Sequence, residues 1–93
     1  MTDDRARFRL SSDVVTRETP DGLILVNLQT GAAFGLDDVG AEICRRLDGN
    51  ADFGEIRATI ESLYDVSADV LVGHLEALLE ELQSAGLVEP ADP

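Results

Sequence analysis

The chain is poor in cysteine and in basic residues, and each shortage removes a class of function. Cys44 is the only cysteine among 93 residues, which excludes an internal disulfide and leaves too few soft ligands for a structural zinc site within one chain. Seven basic residues stand against nineteen acidic ones, giving a formal net charge of −12. Such a field repels phosphate backbones. We therefore expect no bound metal, no cofactor and no nucleic-acid partner.

Long apolar runs are also missing. No stretch approaches the length of a membrane-spanning helix, and residues Met1 to Arg5 open the chain with acid instead of a secretory signal. The sequence thus predicts no membrane partner and a cytoplasmic location. With 44% hydrophobic and 28% charged residues, the composition is that of one globular domain.

Candidate catalytic groups are few. His74 is the only histidine, and its position within a predicted helix favours a structural role over that of a base. Cys44 is interpreted as a small buried hydrophobe, because no positioned base is apparent beside it. Glu76, Glu80 and Glu81 lie at helical spacing on a solvated face. No phosphate-binding or dinucleotide fingerprint is present, so the sequence predicts that the protein is not an enzyme.

Turn signals at Pro20-Asp21-Gly22 and Gln29-Thr30-Gly31 divide residues 14–36 into three short strands, a β-meander. A three-residue loop with a left-handed glycine would pair Val26 with Phe34 and Ile24 with Leu36. The same loop length at the first turn would place one apolar set on the face that meets the helices: Val14, Val26, Leu28, Phe34 and Leu36. Val15, Leu23 and Leu25 would then lie on the outer face.

Beyond Leu36 the apolar period becomes helical and predicts three helices. The first, capped by Asp37 or Asp38, ends at Asp48-Gly49-Asn50; the second begins at Asp52 with a capping box to Glu55. The third is the longest, begins at Ser67, carries a leucine stripe and ends at Gly86. The predicted fold is α+β, a three-stranded antiparallel β-meander followed by three α-helices. We assign residues 1–13 to a lead-in, 14–88 to the domain and 89–93 to a tail.

The order and spacing of several motifs along the chain indicate a family. The motifs are Gly22-Leu23-Ile24-Leu25-Val26-Asn27-Leu28, Thr30-Gly31-Ala32-Ala33-Phe34-Gly35-Leu36, Gly40 with Ile43, Leu47-Asp48-Gly49, Leu63-Tyr64-Asp65-Val66, and Gly86-Leu87-Val88. Together they resemble the PqqD-like family of RiPP recognition elements. That resemblance implies a winged-helix-like fold and a non-catalytic peptide chaperone. Such a protein binds the leader of a ribosomally synthesised precursor peptide as an added strand, between the third strand and the third helix.

Carried onto this chain, the resemblance implies ten peptide-binding residues. They are Ala32, Ala33, Phe34, Gly35 and Leu36 on the strand, and Val70, Leu71, His74, Leu75 and Leu78 on the helix. The helical residues have an alternative interpretation as core. The implied partners are the precursor peptide and a modifying enzyme, either a radical-SAM enzyme or a leader protease, in RiPP or pyrroloquinoline quinone-type biosynthesis.

Two other functions remain open from the residues. Strand addition needs only an open strand edge and nearby pockets, but a sheet with three helices also suits a winged-helix nucleic-acid binder. Against that, Arg57 is the only basic residue between Asp52 and Gly86. The second alternative is a dimeric adaptor that buries the outer sheet face, with Val15, Leu23 and Leu25, against a second copy.

Overall fold

A computed structural model describes residues 3–91; the outermost residues of the predicted lead-in and tail, 1–2 and 92–93, lie outside the described range. The predicted α+β fold is confirmed, and two short strands flank its meander and helices while a third interrupts the helices. The elements in chain order are β1 (Arg7–Leu10), β2 (Val14–Thr19), β3 (Gly22–Asn27), β4 (Ala33–Leu36), α1 (Asp38–Arg45), β5 (Asp48–Asp52), α2 (Phe53–Leu63), α3 (Ala68–Ser84) and β6 (Val88–Ala91).

The helix boundaries follow from local capping. Asp37 caps α1, its Oδ1 accepting the backbone N–H of Gly40 at 2.8 Å. The predicted capping box of α2 is present, because Asp52 accepts from the Glu55 N–H while the Glu55 side chain accepts from the Asp52 N–H. Gly86, at φ 75°, follows α3 in the left-handed region that ends many helices.

The meander has a different register from the predicted one. Leu25 lies opposite Phe34 and Leu23 opposite Leu36, while Val15 lies opposite Val26 in the first hairpin. A two-residue turn, 20–21, and a four-residue loop, 28–31, take the place of the two predicted three-residue loops. The predicted pairs, Val26 with Phe34 and Ile24 with Leu36, are therefore wrong by one residue.

This shift exchanges the two faces of β3. Leu23 and Leu25 are buried at 3% and 0% exposure, whereas Leu28, which was assigned to the core face, is 69% exposed. Val26 likewise leaves that face. In the predicted register Asn27 shares the outer face with Leu23 and Leu25, whereas the structure buries it at 4% exposure with hydrogen bonds to its side chain.

A second antiparallel sheet, in the order β5-β1-β6, was not predicted. β1 pairs Arg7 with Ala91 and Leu10 with Val88 on one side, and Arg7 with Asp52 on the other. β1 lies in the segment assigned to the lead-in, β5 lies where the first helix was predicted to end, and β6 lies largely in the segment assigned to the tail. Phe8 and Val88 bring this sheet into the core.

The core lies between the meander and the helices. α1 contacts β3 and β4, and α2 contacts both α1 and α3. The fully buried large side chains of the core are Leu25, Phe53, Ile56, Ile60, Leu75, Leu82 and Leu87. Across residues 3–91, no helix has the length and apolar character that crossing a bilayer demands.

Candidate functional site: the groove between β4 and α3

The strand β4 is at an edge of the meander sheet, whose order is β2-β3-β4. The Asn27 N–H donates to the Ala32 carbonyl at 2.8 Å, and hydrogen-bonded pairs alternate along an antiparallel ladder. Phe34 therefore bonds to Leu25, while the backbone N–H and C=O groups of Ala33 and Gly35 point away from β3. These two residues therefore present their backbone groups at the free edge of the sheet.

The side chains along this edge leave space for a second backbone. Ala33 and Gly35 are both exposed, and a Cβ placed on Gly35 would have no heavy atom within 4 Å. An open edge strand of this kind can accept another strand. Its hydrogen-bonding groups are thus accessible without rearrangement of β4.

A cavity of about 410 Å³ borders the edge and is walled by β4, α1, α3 and the connection between α2 and α3. We refer to it as the apolar cavity, after the aliphatic and aromatic side chains that dominate its lining. The α3 members recur at helical spacing on one face of the helix. The lining residues are Phe34, Gly35, Leu36, Asp37, Val39, Gly40, Ile43, Tyr64, Val66, Leu71, His74 and Leu78.

A second, more open cavity of about 650 Å³ continues the first one along α3. It is lined by Phe34, Ala77, Glu80, Glu81, Ser84 and Ala85, and we call it the acidic cavity. Phe34 lines both cavities, which therefore adjoin at this residue; we call the two together the β4–α3 groove.

Six of the ten predicted site residues line the apolar cavity: Phe34, Gly35, Leu36, Leu71, His74 and Leu78. Ala33 lies at the exposed edge and Ala32 immediately precedes β4, with its N–H donated to the Thr30 hydroxyl at 3.2 Å. The structure does not bring the other two to the groove. Val70 is 49% exposed outside both linings, and Leu75 has 0% exposure inside the core.

The prediction missed half of the apolar cavity, namely the contribution of α1 and of the connection between α2 and α3. Gly40 shows why α1 lies so close to β4, since a Cβ there would meet the Leu36 side chain at 3.0 Å. A glycine inside a helix is the signal that could have indicated this approach. Tyr64 and Val66 were named only as part of a family motif, although an aromatic and a branched residue in a connection indicate partial burial.

Two titratable groups near the groove have pKa values shifted by their surroundings. Burial raises the pKa of the Cys44 thiol from 9.0 to about 12, partly opposed by the charge of Arg45. This buried thiol is absent from the lining of either cavity. Burial, followed by the charges of Asp38 and Glu42, also raises the pKa of Tyr64. Between residues 3 and 91, no group of three or more His, Cys, Asp or Glu side chains is placed to hold a metal ion.

Comparison with known proteins gives a family and a fold. Residues 22–88 match the model of PqqD, coenzyme PQQ synthesis protein D. The structure is similar to TbiB1 in complex with the TbiA(beta) leader peptide, with 32% identity, a TM-score of 0.81, and coverage of 91% of this chain and 99% of that one. It is also similar to lasso peptide synthetase B1 complexed with the leader peptide, with 26% identity, a TM-score of 0.80, and coverage of 91% and 100%. No curated protein matches the sequence.

Proposed function

The chain belongs to the PqqD family, and from this we propose that it binds the leader of a ribosomally synthesised precursor peptide as a strand added to β4. One observation carries the proposal: the free edge at Ala33 and Gly35 runs beside an apolar cavity of about 410 Å³. Backbone hydrogen bonds at the edge would supply affinity, and side-chain pockets would supply specificity. The two similar structures, each a complex with a leader peptide, support a leader as the ligand.

The peptide would occupy the β4–α3 groove with its backbone against Ala33 and Gly35 and an apolar side chain in the apolar cavity. Phe34 and Leu78 would contact the peptide from opposite walls, while Leu75 would stay in the core beneath them. Strand addition with a few apolar anchors can supply roughly 8 kcal/mol, which corresponds to a micromolar dissociation constant.

The protein would act by presenting the leader to a modifying enzyme and would perform no chemical step itself. The buried, high-pKa thiol of Cys44 supports this role, because a nucleophile must reach its substrate as a thiolate. Of the two classes of partner enzyme, a leader protease of a lasso-peptide pathway is better supported than a radical-SAM enzyme. The supporting observation is the similarity to lasso peptide synthetase B1 over 91% of this chain.

Neither alternative function gains support from the structure. A nucleic-acid binder needs a basic surface, but two carboxylates of α3, those of Glu80 and Glu81, line the groove. The dimeric adaptor relied on Leu23 and Leu25 at the outer sheet face, and both are buried in the core.

Calorimetry tests the proposal with the leader encoded by the neighbouring precursor gene. We expect this peptide to bind with a micromolar or lower dissociation constant, and a scrambled peptide of the same composition to bind at least about tenfold more weakly. The scrambled peptide is the matched control, since it retains the charge and the amino-acid content. Equal binding of both peptides, or binding of duplex DNA at moderate salt in place of the leader, would refute the proposal.

A further inference from the structure

The β4–α3 groove has two chemically different ends. Both cavities contact Phe34 of β4, but only the apolar cavity also contacts Gly35 and Leu36. Along α3 the apolar cavity begins at Leu71, whereas the acidic cavity extends to Ala85. Advancing along α3 therefore means moving backwards along β4, towards residue 33. A bound strand would have one part beside apolar side chains and another beside carboxylates.

Among the residues that line the acidic cavity there are two carboxylates and no basic side chain. Glu80 and Glu81 are exposed, and the ion pairs within residues 3–91 involve four arginines at other sites: Arg9, Arg45, Arg46 and Arg57. The last turn of α3 also contains no basic residue, so the negative end of the helix dipole adds to the two carboxylates. All three features favour a cation at this end of the groove.

We infer that the bound leader carries lysine or arginine in the part that lies beside the acidic cavity, paired with Glu80 and Glu81. The inference rests on the proposed function and specifies the peptide it selects. His74 in the apolar cavity and Glu81 in the acidic one are seven residues apart on α3, a distance of about 10 Å. An extended peptide covers that distance in about three residues. The basic residue therefore stands about three positions from the apolar anchor in the leader.

Electrostatic pairing at the groove can be tested with the leader encoded by the neighbouring precursor gene. Affinities are measured for wild type, Glu81→Gln and Glu80→Gln/Glu81→Gln, with Asp21→Asn as the matched control. Asp21 is an exposed acid in the turn between β2 and β3, outside both cavities. At low salt we expect each glutamine to weaken binding about three- to fivefold, as exposed ion pairs do, and Asp21→Asn to bind like wild type. At about 0.5 M salt the differences should largely disappear.

A second peptide, in which glutamine replaces the basic residue, completes a double-mutant cycle. Its binding should be weaker for wild type and should no longer respond to Glu80→Gln/Glu81→Gln. A leader that binds wild type with micromolar affinity but binds the double variant equally well at low salt overturns the inference and leaves the proposed function intact. The same holds for a leader that binds without any basic residue. If wild type binds no leader at all, the inference and the proposed function both fail.

Discussion

The side chain of Asn27 joins the second hairpin of the meander to the end of α3. Its Nδ2 donates to the Gly86 carbonyl at 2.9 Å, across 59 residues of sequence. Its Oδ1 accepts the N–H groups of Gln29 at 2.9 Å and Thr30 at 3.1 Å, which shapes the loop before β4. A single buried amide thus fixes the hairpin that leads into β4 relative to α3, and β4 and α3 are the two walls of the groove.

Replacing Asn27 by aspartate should separate these two effects. Asn27→Asp keeps the oxygen that accepts the loop N–H groups but removes the donor to Gly86. It also places a carboxylate next to the Gly86 carbonyl, and the two oxygens repel each other. We expect a loss of about 1–3 kcal/mol in the free energy of unfolding, together with weaker leader binding as the groove loosens. Urea denaturation measures the first and calorimetry the second. Asn50→Asp, at an exposed position, is the control, and an equal loss in both variants would contradict the role given to Asn27.

The register of the meander predicts unequal roles for two leucines. Leu25→Ala should lower the free energy of unfolding by about 2–5 kcal/mol, because Leu25 has 0% exposure in the core. Leu28→Ala should change it by less than about 0.5 kcal/mol, since Leu28 is 69% exposed. Thermal or urea unfolding of the two variants compares them directly. A larger loss for Leu28→Ala would restore the register first expected from the turn signals.

Proline substitutions test which groups of β4 receive the leader. Ala33→Pro removes an N–H that points to the free edge, so it should weaken leader binding strongly while the fold loses less stability. Phe34→Pro should instead destabilise the fold by several kcal/mol, because it deletes both a ladder bond to Leu25 and an aromatic side chain. Melting curves and leader titrations are recorded for both. A folded Ala33→Pro protein with wild-type affinity would exclude strand addition at this edge.

Alkaline pH should destabilise the protein through Cys44. The folded-state pKa is raised from 9.0 to about 12 by burial, so the neutral thiol is favoured in the folded protein. Its contribution to stability is complete below about pH 9 and declines as the pH rises towards 12. At pH 11 the loss is roughly 2–3 kcal/mol.

The composition makes this effect measurable, because lysine and tyrosine titrate in the same pH range and the chain has no lysine and only one tyrosine. The stability of wild type relative to Cys44→Ala should therefore decrease between pH 9 and pH 11. Tyr64→Phe serves as the control for the tyrosine, whose pKa is also raised in the fold. A difference between wild type and Cys44→Ala that stays constant with pH would mean that the thiol titrates normally.

His74 provides a test of the non-catalytic role. With the partner enzyme supplied, His74→Ala should retain the maximal rate of precursor modification and should raise only the precursor concentration needed to reach it. The reason is that His74 lines the apolar cavity and would contact peptide without taking part in chemistry. Saturating rates and leader affinities are measured together. A lost rate at saturating precursor, with affinity and melting temperature unchanged, would reveal a catalytic role.

The sequence predicted the elements whose signals are local. The capping box of Asp52 and Glu55, a cap at Asp37 or Asp38 and the stop at Gly86 each depend on neighbouring residues. All three are present, with Asp37 as the cap. The register depended on one long-range contact. Asn27 can face the core only because Gly86, 59 residues away, accepts its amide, and no local pattern contains that information.

The second sheet and the rear of the apolar cavity escaped prediction for the same reason. Asp48-Gly49-Asn50 is a turn signal by composition, yet Asp48 pairs with Arg9 in a strand that exists only once distant segments meet. Tyr64 reaches the cavity because the connection between α2 and α3 folds back towards α1. The resemblance led to the β4 residues of the groove and to Leu71, His74 and Leu78 of α3, while the residues from α1 and from the connection between α2 and α3 were missed.

The pairing of β1 with β6 places the two ends of the described chain side by side, with Arg7 opposite Ala91. A polypeptide that enters at β1 and leaves at β6 therefore enters and leaves at nearly the same point. The module could be inserted into a surface loop of a larger enzyme without stretching that loop. It is also a suitable framework for circular permutation, with a short linker between β6 and β1 and new termini at the exposed turn of Pro20 and Asp21.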